Sequence, residues 1–474
     1  MTIYLHHRGD CANRCRSWPS NRSVVSARAV GKLLPNGVVL RYRHKKKRGG
    51  SAMRIIFIHQ NMPGQYKHLA PRLAAAGHEV VFITRRKDIN LPGVRRLSYD
   101  TAREEKREGH AYTHHLDGQL LYGQAVAEVL CTLKNSQFIP DVICAHSGWG
   151  EAIFIKDVFP DTPTQIFSEF FYRGKGSDIG FENPDAISID RICRSRLRNT
   201  HMALSMIDAD ALISPTVWQW QQHPKIMRDR MSVVHDGVDT QICTPNPKVA
   251  FQLPTGKILS RDDEVITYMA RNLEPYRGFH KFMEGLGELQ RRRPEAHVVI
   301  IGGDDISYGS KPRDADTWRQ SMLASHKIDT SRTHFLGRLP YDDYIKFLQV
   351  SRVHVYLTYP FVLSWSSMEA MAVGCAMAAS STPPVREAMR DDENALLFDF
   401  HKPMELVDTV CRLLDDAPLR DRLGQAARQS IIENYDLETV CIPRQMALIE
   451  QLAKGQALSP NYVPTEFIDA STDG

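Results

Sequence analysis

The chain has 474 residues, of which 42% are apolar and 24% are charged. This is the composition of a globular protein, and the length predicts more than one domain because single cores stop growing at about 250–300 residues. No apolar run approaches the roughly 20 residues that span a bilayer. The nine cysteines are scattered, and Cys11 and Cys15 have no second pair to complete a zinc site, so reduced thiols and a cytoplasmic location are expected.

The positive charge is concentrated at the start of the chain. Residues 1–52 carry twelve lysines and arginines against one acid, whereas the remaining residues hold 48 basic and 54 acidic side chains. This leader has no helix or strand periodicity, so it is expected to be disordered. A transit peptide or a nucleic-acid-binding arm would also be basic. Because Met53 begins a strand pattern, M-R-I-I-F-I-H, we interpret the leader as an extension upstream of the natural start.

Short apolar runs alternate with helical patterns over residues 53–225. The runs are MRIIFIH, EVVFIT, DVICAH, TQIFSEFF and ALISPT, and a helix is predicted after the turn N-M-P-G at 61–64. This alternation predicts parallel βαβ units with right-handed crossovers. A long helical stretch is predicted from Asp185 to Ile207. The segment therefore predicts a first Rossmann-like domain.

The same pattern begins again over residues 226–435. Its strand candidates are EVITYMARN, HVVIIGG, THFLGRL, VHVYLTY, CAMAASS and ALLFDF. We expect an α/β fold with two doubly wound domains, whose ligands lie beyond the carboxyl ends of the strands, in a cleft between the halves. In residues 436–474, a helix from about Leu437 to Lys454 is expected to pack back on the first domain, followed by a mobile tail.

The segment Tyr359–Gly374, Y-P-F-V-L-S-W-S-S-M-E-A-M-A-V-G, carries the clearest chemical signal. It leads from a strand through a turn into a helix that contains Glu369. Three serines at the helix start can cap it and leave backbone amides for a phosphate, namely Ser364, Ser366 and Ser367. A carboxylate beside such amides suits the ribose of a nucleotide. The segment therefore predicts a nucleotide-sugar site.

Five segments occur in the order found in one enzyme family. The chain resembles the retaining glycosyltransferases of family 4, which have the two-domain GT-B architecture. The resemblance spans about Met53 to Lys454, and it is carried by HDGVD at 235–239, MARNLEPYRGF at 269–279, FLGRL at 335–339, EAMAVG at 369–374 and ENALLFD at 393–399. Each motif alone is a weak signal, whereas five in order form a strong one.

The resemblance implies roles for the residues at the motif positions. Arg271 and Arg277 would meet the donor diphosphate, and Arg277 stands where the family has lysine, which keeps the charge and alters its geometry. Glu369 would accept the ribose hydroxyls, and Leu339 lies in the loop on the side of the base. Glu387, which follows Glu369 by 18 residues, either contacts the donor or orients its turn.

The first domain supplies further candidates. Gly64 would let the backbone approach the donor diphosphate or the acceptor, although a simple tight turn explains it almost as well. His146 resembles a family position near the sugar, with a structural role as the equal alternative. Glu169 follows a strand and is a candidate on the acceptor side.

Three arginines at helical spacing are further acceptor-side candidates: Arg191, Arg194 and Arg198. This stripe would suit anionic lipid headgroups or a lipid-pyrophosphate acceptor, so peripheral contact with the inner leaflet of the cytoplasmic membrane is one hypothesis. The alternative is a charged face exposed to solvent.

One position departs from the family pattern. The family motif has a glutamate eight residues before the position of Glu369, within E-G-F-G, and here that position is Phe361 in F-V-L-S. The family glutamate is associated with the donor sugar. We expect backbone amides and Ser364 to make the donor-sugar contact instead, and weakened catalysis is the alternative.

The implied reaction is retaining glycosyl transfer from a nucleotide-sugar to a saccharide or lipid-linked acceptor, in the synthesis of a surface polysaccharide or glycolipid. The resemblance implies no protein nucleophile, cofactor or metal, and Asp304 and Asp305 are interpreted as the end of a strand rather than as metal ligands. Nucleic acid is not an expected partner. Two alternatives stay open: a GT-B sugar-nucleotide epimerase, and a non-catalytic subunit that binds a nucleotide-sugar.

Overall fold

The computed structural model describes residues 52–106 and 108–456. The predictions for residues 1–51 and for the tail after residue 456 lie outside this range. Within the described range, all seven cysteines are free thiols. No helix of these residues is both long enough and apolar enough to cross a membrane.

The first half of the described chain is built on a sheet of seven parallel strands, in the order β3-β2-β1-β4-β5-β6-β7. Ile56 and Ile58 face one core and Ile55 and Phe57 face the other, so the strands read as continuous apolar runs because both faces are covered. The strands are β1 (Arg54–Ile58), β2 (Glu79–Thr84), β3 (Val94–Ser98), β4 (Val142–His146), β5 (Thr164–Phe167), β6 (Ala211–Ser214) and β7 (Met231–Val233).

Helices cover both faces of this sheet. The first half contains α1 (Leu69–Ala75), α2 (His114–Asn135), α3 (Ile155–Val158), α4 (Ile189–Arg198), α5 (Thr200–Ile207), α6 (Val217–Gln221) and α7 (Lys225–Arg228). The long helix predicted from Asp185 to Ile207 is wrong in one respect, since α4 and α5 are separate. The buried side chain of Asn199 lies between them, and it bonds both the N–H and the C=O of Tyr172, at 2.9 and 2.8 Å.

The second half is built on a six-stranded parallel sheet, in the order β12-β11-β10-β13-β14-β15, preceded by a short hairpin. The hairpin strands are β8 (Phe251–Gln252) and β9 (Ile258–Leu259). The sheet strands are β10 (Val265–Asn272), β11 (His297–Gly303), β12 (Thr333–Phe335), β13 (Val353–Tyr356), β14 (Met377–Ser380) and β15 (Leu396–Phe398).

The helices of the second half cover its sheet, and the last one crosses back. They are α8 (Phe279–Arg292), α9 (Trp318–Ser325), α10 (Tyr341–Val350), α11 (Trp365–Val373), α12 (Pro383–Ala388), α13 (Pro403–Asp415), α14 (Ala417–Tyr435) and α15 (Ile442–Ala453). Helix α15 contributes Ile442, Ile449 and Leu452 to a core of the first sheet.

The predicted division at residue 225 requires a correction. Strand β7 pairs with β6, so the first sheet extends to Val233. The division at residue 225 assigned M-S-V-V at 231–234 to the second domain, because so short an apolar run does not indicate which sheet it joins. Phe170 and Trp218 of the first half are buried in a core cluster of the second. The two sheets therefore share an apolar boundary beside the cleft.

Glu151 is a carboxyl group buried in the first half, only 1% exposed, and it accepts a hydrogen bond of 2.6 Å from the Tyr99 hydroxyl. Burial raises the pKa of Glu151 from 4.5 to about 7. Because the protonated form is favoured in the folded state, its contribution to stability is complete below the unfolded pKa and is lost as the pH rises through 7. We expect the wild-type free energy of unfolding to fall between about pH 4.5 and 7, and Glu151→Gln to show a smaller fall in urea unfolding. Equal pH profiles for the two proteins would contradict this assignment.

Candidate active site

The cleft brings together acidic and basic groups from both halves. Glu169 follows β5 in the first half, and the charges of Arg271 and Arg277 in the second half act on it. Burial raises the pKa of Glu169, and the two arginines oppose that rise. Glu169 follows β5 and Arg271 lies at the end of β10, so the fold brings these three predicted residues within electrostatic reach of one another across the cleft.

The two arginines differ in how firmly they are held. Arg271 is exposed at the end of β10. Arg277 is partly buried, and its Nη1 donates to the Thr358 hydroxyl at 3.0 Å and to the Val362 carbonyl at 2.9 Å. Guanidinium groups pair well with phosphate oxygens, and a positive charge held in place can stabilise negative charge that develops on an anion.

Glu274 is a further residue of this region that the sequence analysis did not identify. It is 1% exposed, and one carboxylate oxygen accepts the N–H groups of Ser307 and Tyr308, at 2.7 and 3.0 Å. Its other oxygen is buried and has no partner among the described residues. Glu274 lies between Arg271 and Arg277 in the chain, so its position within that motif was the available signal.

Helix α11 begins at the cleft, as the serine pattern predicts. Ser364 is its N-cap, and the Ser364 hydroxyl accepts the N–H of Ser366. Ser367 donates its hydroxyl to the Ser364 carbonyl at 2.8 Å. Ser366 and Ser367 are both buried, so any direct ligand contact at this helix start falls to Ser364 and to backbone amides.

Glu369 lies one turn into α11 and is held by two tyrosines. The hydroxyls of Tyr341 and Tyr344 donate to its two oxygens, at 2.9 and 2.8 Å. Burial raises the pKa of Glu369, and these two hydrogen bonds oppose the rise. A carboxylate has about four acceptor positions, so two remain for hydroxyl groups of a ligand.

Glu369 lines a small cavity between the halves, of about 80 Å³, together with Gly64, Asp236 and Trp365. Gly64 has a positive φ of 49°, and a Cβ there would lie 2.3 Å from Nε2 of His59. Asp236 accepts the indole N–H of Trp365 at 2.9 Å. Burial raises the pKa of Asp236 to about 8, and the charge of Glu169 adds to the rise.

His146 is buried at the end of β4 and stacks on Trp149, with ring centroids 4.6 Å apart. Its Nδ1 accepts the N–H of Gly148 at 2.9 Å, so the neutral ring carries its proton on Nε2. Burial lowers the pKa of His146 well below its ordinary value. Nε2 is buried without a partner among the described residues, as is the neighbouring hydroxyl of Ser147. Two unused polar groups thus lie together at the end of this strand.

Phe361, at the position of the family glutamate, belongs to an aromatic cluster that joins the halves. It packs edge-on against Phe170 of the first half at 4.7 Å between ring centroids. In the second half it packs against Tyr308 at 4.7 Å and Tyr276 at 5.6 Å. A carboxylate at this position would be desolvated by three aromatic rings, which is the physical reason that phenylalanine fits it here.

We expect Phe361→Leu to lower the free energy of unfolding by about 1–2 kcal/mol, because it removes buried area and three aromatic contacts while keeping the site apolar. Chemical unfolding of the full chain measures this loss. Phe335→Leu, at a partly buried aromatic of the same core cluster, is the control and should cost less. A smaller loss at Phe361 than at Phe335 would contradict the assigned role of the cluster.

Glu387 and Leu339 are predicted donor residues that, like the three serines, do not line the small cavity. The Glu387 carboxylate accepts the backbone N–H groups of Val217 and Trp218 in the first half, at 2.7 and 2.8 Å. Of the two roles considered for Glu387, donor contact and orientation of its turn, this contact corresponds to the second. Burial raises the pKa of Glu387 to about 7. Leu339 is partly buried against a core of the second half. Donor contacts by Glu387 and Leu339 stay predictions.

The arginine stripe lies on α4 at the surface of the first half. Arg194 pairs with Asp190 at 2.7 Å, and Arg198 lies over the ring of Tyr172 at 4.2 Å. Arg191 is exposed. These side chains are therefore available to a large partner, but they are not part of the group formed by Glu169, Arg271 and Arg277.

The aspartate pair after β11 forms ion pairs with arginines. Asp304 pairs with Arg319, and Asp305 pairs with Arg338. Among the described residues, no group of three or more histidine, cysteine or carboxylate side chains has the arrangement to hold a metal ion.

Comparison with known proteins shows which protein families each half of the chain matches. The model of the glycosyl transferase family 4 group matches residues 76–243, and that of glycosyl transferases group 1 matches residues 255–430. D-inositol 3-phosphate glycosyltransferase of Corynebacterium efficiens is 26% identical over 239 residues, which are 50% of this chain and 54% of that protein. The same enzyme of Corynebacterium glutamicum is 26% identical over 242 residues, again 50% and 54%. The chain thus spans about half the length of the curated relatives it matches.

Solved structures resemble the chain over most of its length. Sucrose-phosphate synthase of Thermosynechococcus elongatus has a TM-score of 0.62 and 16% identity, covering 85% of this chain and 100% of that one. Anabaena HepE in complex with UDP-glucose has a TM-score of 0.58 and 15% identity, covering 84% and 98%. At these identities the likeness establishes the fold alone.

The two parallel sheets that meet at a cleft thus form the GT-B fold, with two Rossmann-like domains. With both family matches in chain order over most of the described residues, the chain belongs to the group 1 glycosyltransferases of the family 4 type. The sequence-based predictions of fold and family are confirmed.

Proposed function

We propose that this protein is a retaining glycosyltransferase that moves a sugar from a nucleotide-sugar to a saccharide or lipid-linked acceptor. The observation that carries the proposal is the position of Arg277, which donates to the Val362 carbonyl at 2.9 Å, two residues before the N-cap of the helix that holds Glu369. The charges of Arg271 and Arg277 also act on Glu169 of the first half. In this proposal Arg271 and Arg277 contact the diphosphate of the donor. Glu369, which is held by two tyrosines, accepts the hydroxyls of the ribose.

The two arginines and the backbone amides at the start of α11 contact the diphosphate as it leaves. Their charge stabilises the phosphate oxygens as the bond to the sugar breaks, so the protein itself supplies the cations for departure. The acceptor hydroxyl attacks the anomeric carbon from the same face of the sugar ring from which the diphosphate departs. The leaving phosphate takes the proton of the acceptor hydroxyl. This step preserves the anomeric configuration and requires no nucleophilic side chain. The neutral His146 ring would donate its Nε2–H to a sugar hydroxyl.

The names of the similar proteins indicate which substrates to test first. The two Corynebacterium relatives are D-inositol 3-phosphate glycosyltransferases, and the solved Anabaena protein is in complex with UDP-glucose. We therefore propose UDP-sugars as the first donors and polyol phosphates, saccharides and polyprenyl-linked saccharides as the first acceptors. A role in building a surface polysaccharide or a glycolipid follows from such acceptors.

The test is release of nucleoside diphosphate from a panel of UDP-, GDP- and ADP-sugars, with and without each acceptor, followed by NMR of the product. We expect release that depends on the acceptor and a product with the anomeric configuration of the donor. Release without any acceptor, with conversion of the donor sugar to its epimer, would favour the epimerase. Binding of a donor with no turnover for any acceptor would favour the non-catalytic subunit.

We also propose that the α4–α5 surface contacts anionic lipid. Arg191 and Arg196 are exposed there, next to the exposed apolar side chains of Leu197, Leu204 and Ile207. Each arginine near a charged surface contributes about 1 kcal/mol. We expect Arg191→Gln with Arg196→Gln to reduce partitioning onto phosphatidylglycerol vesicles by roughly 30-fold in sedimentation. Arg291→Gln with Arg292→Gln, on the exposed face of α8, is the matched control, and equal binding by the two double variants would retire this proposal.

A further inference from the structure

Four arginines line one cavity on the second half, away from the cleft. The cavity has a volume of about 330 Å³, and the arginines are Arg261, Arg352, Arg420 and Arg428. Arg261 and Arg352 come just before β10 and β13, so this cavity lies at the amino edge of the sheet, whereas the candidate active site lies at the carboxyl edge. Nothing in the proposed reaction uses this position.

The shape of the cavity depends on the absence of a side chain at one glycine of α14. Arg420 and Arg428 are two turns apart on α14, so they project from the same face of that helix. Gly424 lies midway between them, and a Cβ there would be 2.5 Å from the carbonyl oxygen of Gly374. The absent side chain lets α14 approach the end of α11 and leaves a concave surface between the two arginines.

Every hydrogen bond that fixes these guanidinium groups goes to a backbone carbonyl. Arg420 donates to Leu413 and Leu414 at 2.8 and 3.1 Å, at the end of α13. Arg428 donates to Cys243 at 2.8 Å and to Ala372 at the end of α11. These contacts suit the negative ends of helices, and they occupy only part of the five N–H donors of each arginine.

The other two arginines of the cavity also donate to backbone carbonyls. Arg261 donates to the Gln349 carbonyl at 3.3 Å, at the end of α10, and Arg352 donates to the carbonyl of Arg261. The Nε of Arg352 is buried and has no partner among the described residues. This N–H donor of a cavity-lining arginine is thus shielded from water and is not used by the described residues.

One carboxylate, Asp421, also lines the cavity, but it forms no ion pair with these four arginines. In residues 52–106 and 108–456, no carboxylate oxygen lies within 4.0 Å of a nitrogen of these four arginines. Burial lowers the pKa of Arg420, and the charges of Arg352 and Arg261 lower it further, while Asp421 and Asp416 oppose the change. The cations therefore repel one another at close range, and an anion in the cavity would relieve that repulsion.

We propose that this cavity binds a phosphate group, either as inorganic phosphate or carried by a small phosphorylated sugar. Guanidinium groups match phosphate oxygens in geometry as well as in charge. The volume is in the range of pockets that enclose a small metabolite. The site is separate from the donor diphosphate site, and the proposal does not depend on the proposed reaction.

The test is thermal unfolding of the full chain in increasing sodium phosphate or glucose 6-phosphate, against sodium chloride at equal ionic strength. We expect a saturable rise in Tm that is specific for phosphate, and glucose 6-phosphate should saturate at a lower concentration if the sugar is also held. Arg271→Gln should keep the rise, which excludes binding in the cleft. Arg352→Gln should weaken the apparent affinity at least 10-fold, and Arg291→Gln, at an exposed arginine paired with Glu288, should not.

Two results would overturn the proposal. One is the absence of a saturable, phosphate-specific rise in the wild type with either compound. The other is a rise that Arg271→Gln removes and Arg352→Gln retains, since that would place the phosphate in the cleft. If Arg352→Gln does not fold, Arg261→Gln takes its place, because Arg261 is held by a single carbonyl contact.

Discussion

Replacing Arg271 by alanine should lower kcat by about 100–1,000-fold with little change in stability. Arg271 is exposed at the end of β10, and its charge reaches Glu169 across the cleft. In the proposed reaction it meets negative charge that grows as the diphosphate departs, so its contribution is larger in the transition state than in the bound donor. Loss of one such group typically costs 100–1,000-fold in kcat. Steady-state release of nucleoside diphosphate measures the effect.

The control for this variant is Arg291→Ala, which removes another exposed arginine, on α8. It should leave kcat within about twofold. Arg271→Lys keeps the charge without the planar fork, so it should recover part of the rate. A kcat of Arg271→Ala within threefold of the wild type, with the same unfolding midpoint, would refute the role assigned to Arg271.

Glu369→Gln should raise the donor KM by roughly 10–100-fold with a smaller effect on kcat. A hydrogen bond to a charged group contributes about 1.5–3 kcal/mol, and 1.4 kcal/mol corresponds to a factor of ten. The ribose is remote from the bond that breaks, so its contacts stabilise the bound donor and the transition state almost equally. Initial rates over a range of donor concentrations separate KM from kcat.

The matched control for Glu369 is Tyr341→Phe. It removes one hydroxyl that donates to Glu369 and keeps the carboxylate. It should raise the donor KM by less than Glu369→Gln does, because the carboxylate stays available for the ribose. If Glu369→Gln leaves the donor KM unchanged, Glu369 serves only to accept the two tyrosines, and the nucleoside lies elsewhere.

The architecture could be predicted from sequence because parallel strands that are covered on both faces leave uninterrupted apolar runs. MRIIFIH and HVVIIGG are such runs, and they form β1 and β11, which are interior strands of the two sheets. Helix α2 was not predicted, since Gly118 and Gly123 interrupt its pattern. Gly123 is needed there because a Cβ would lie 2.9 Å from the carbonyl of Gly150, a contact that only the fold reveals.

The candidate site was predictable where one motif carried the chemistry and not where two distant segments meet. Arg271 and Glu369 each stand in a recognisable motif. The hydrogen bond from Trp365 to Asp236 joins residues 129 positions apart, and no local pattern signals it. The sequence likewise revealed that Phe361 departs from the family, but its packing against Phe170 of the other half depends on the closed arrangement of the chain.

The central claim is that the cleft is a nucleotide-sugar site, and calorimetric titration of nucleoside diphosphates into the full chain tests it most directly. With UDP, GDP and ADP in turn, we predict that at least one binds with a stoichiometry of one per chain. That binding should weaken at least 10-fold when Arg271→Ala and Glu369→Gln are combined. Failure of all three to bind the wild type at millimolar concentration, or equal affinity for the double variant, would contradict the account.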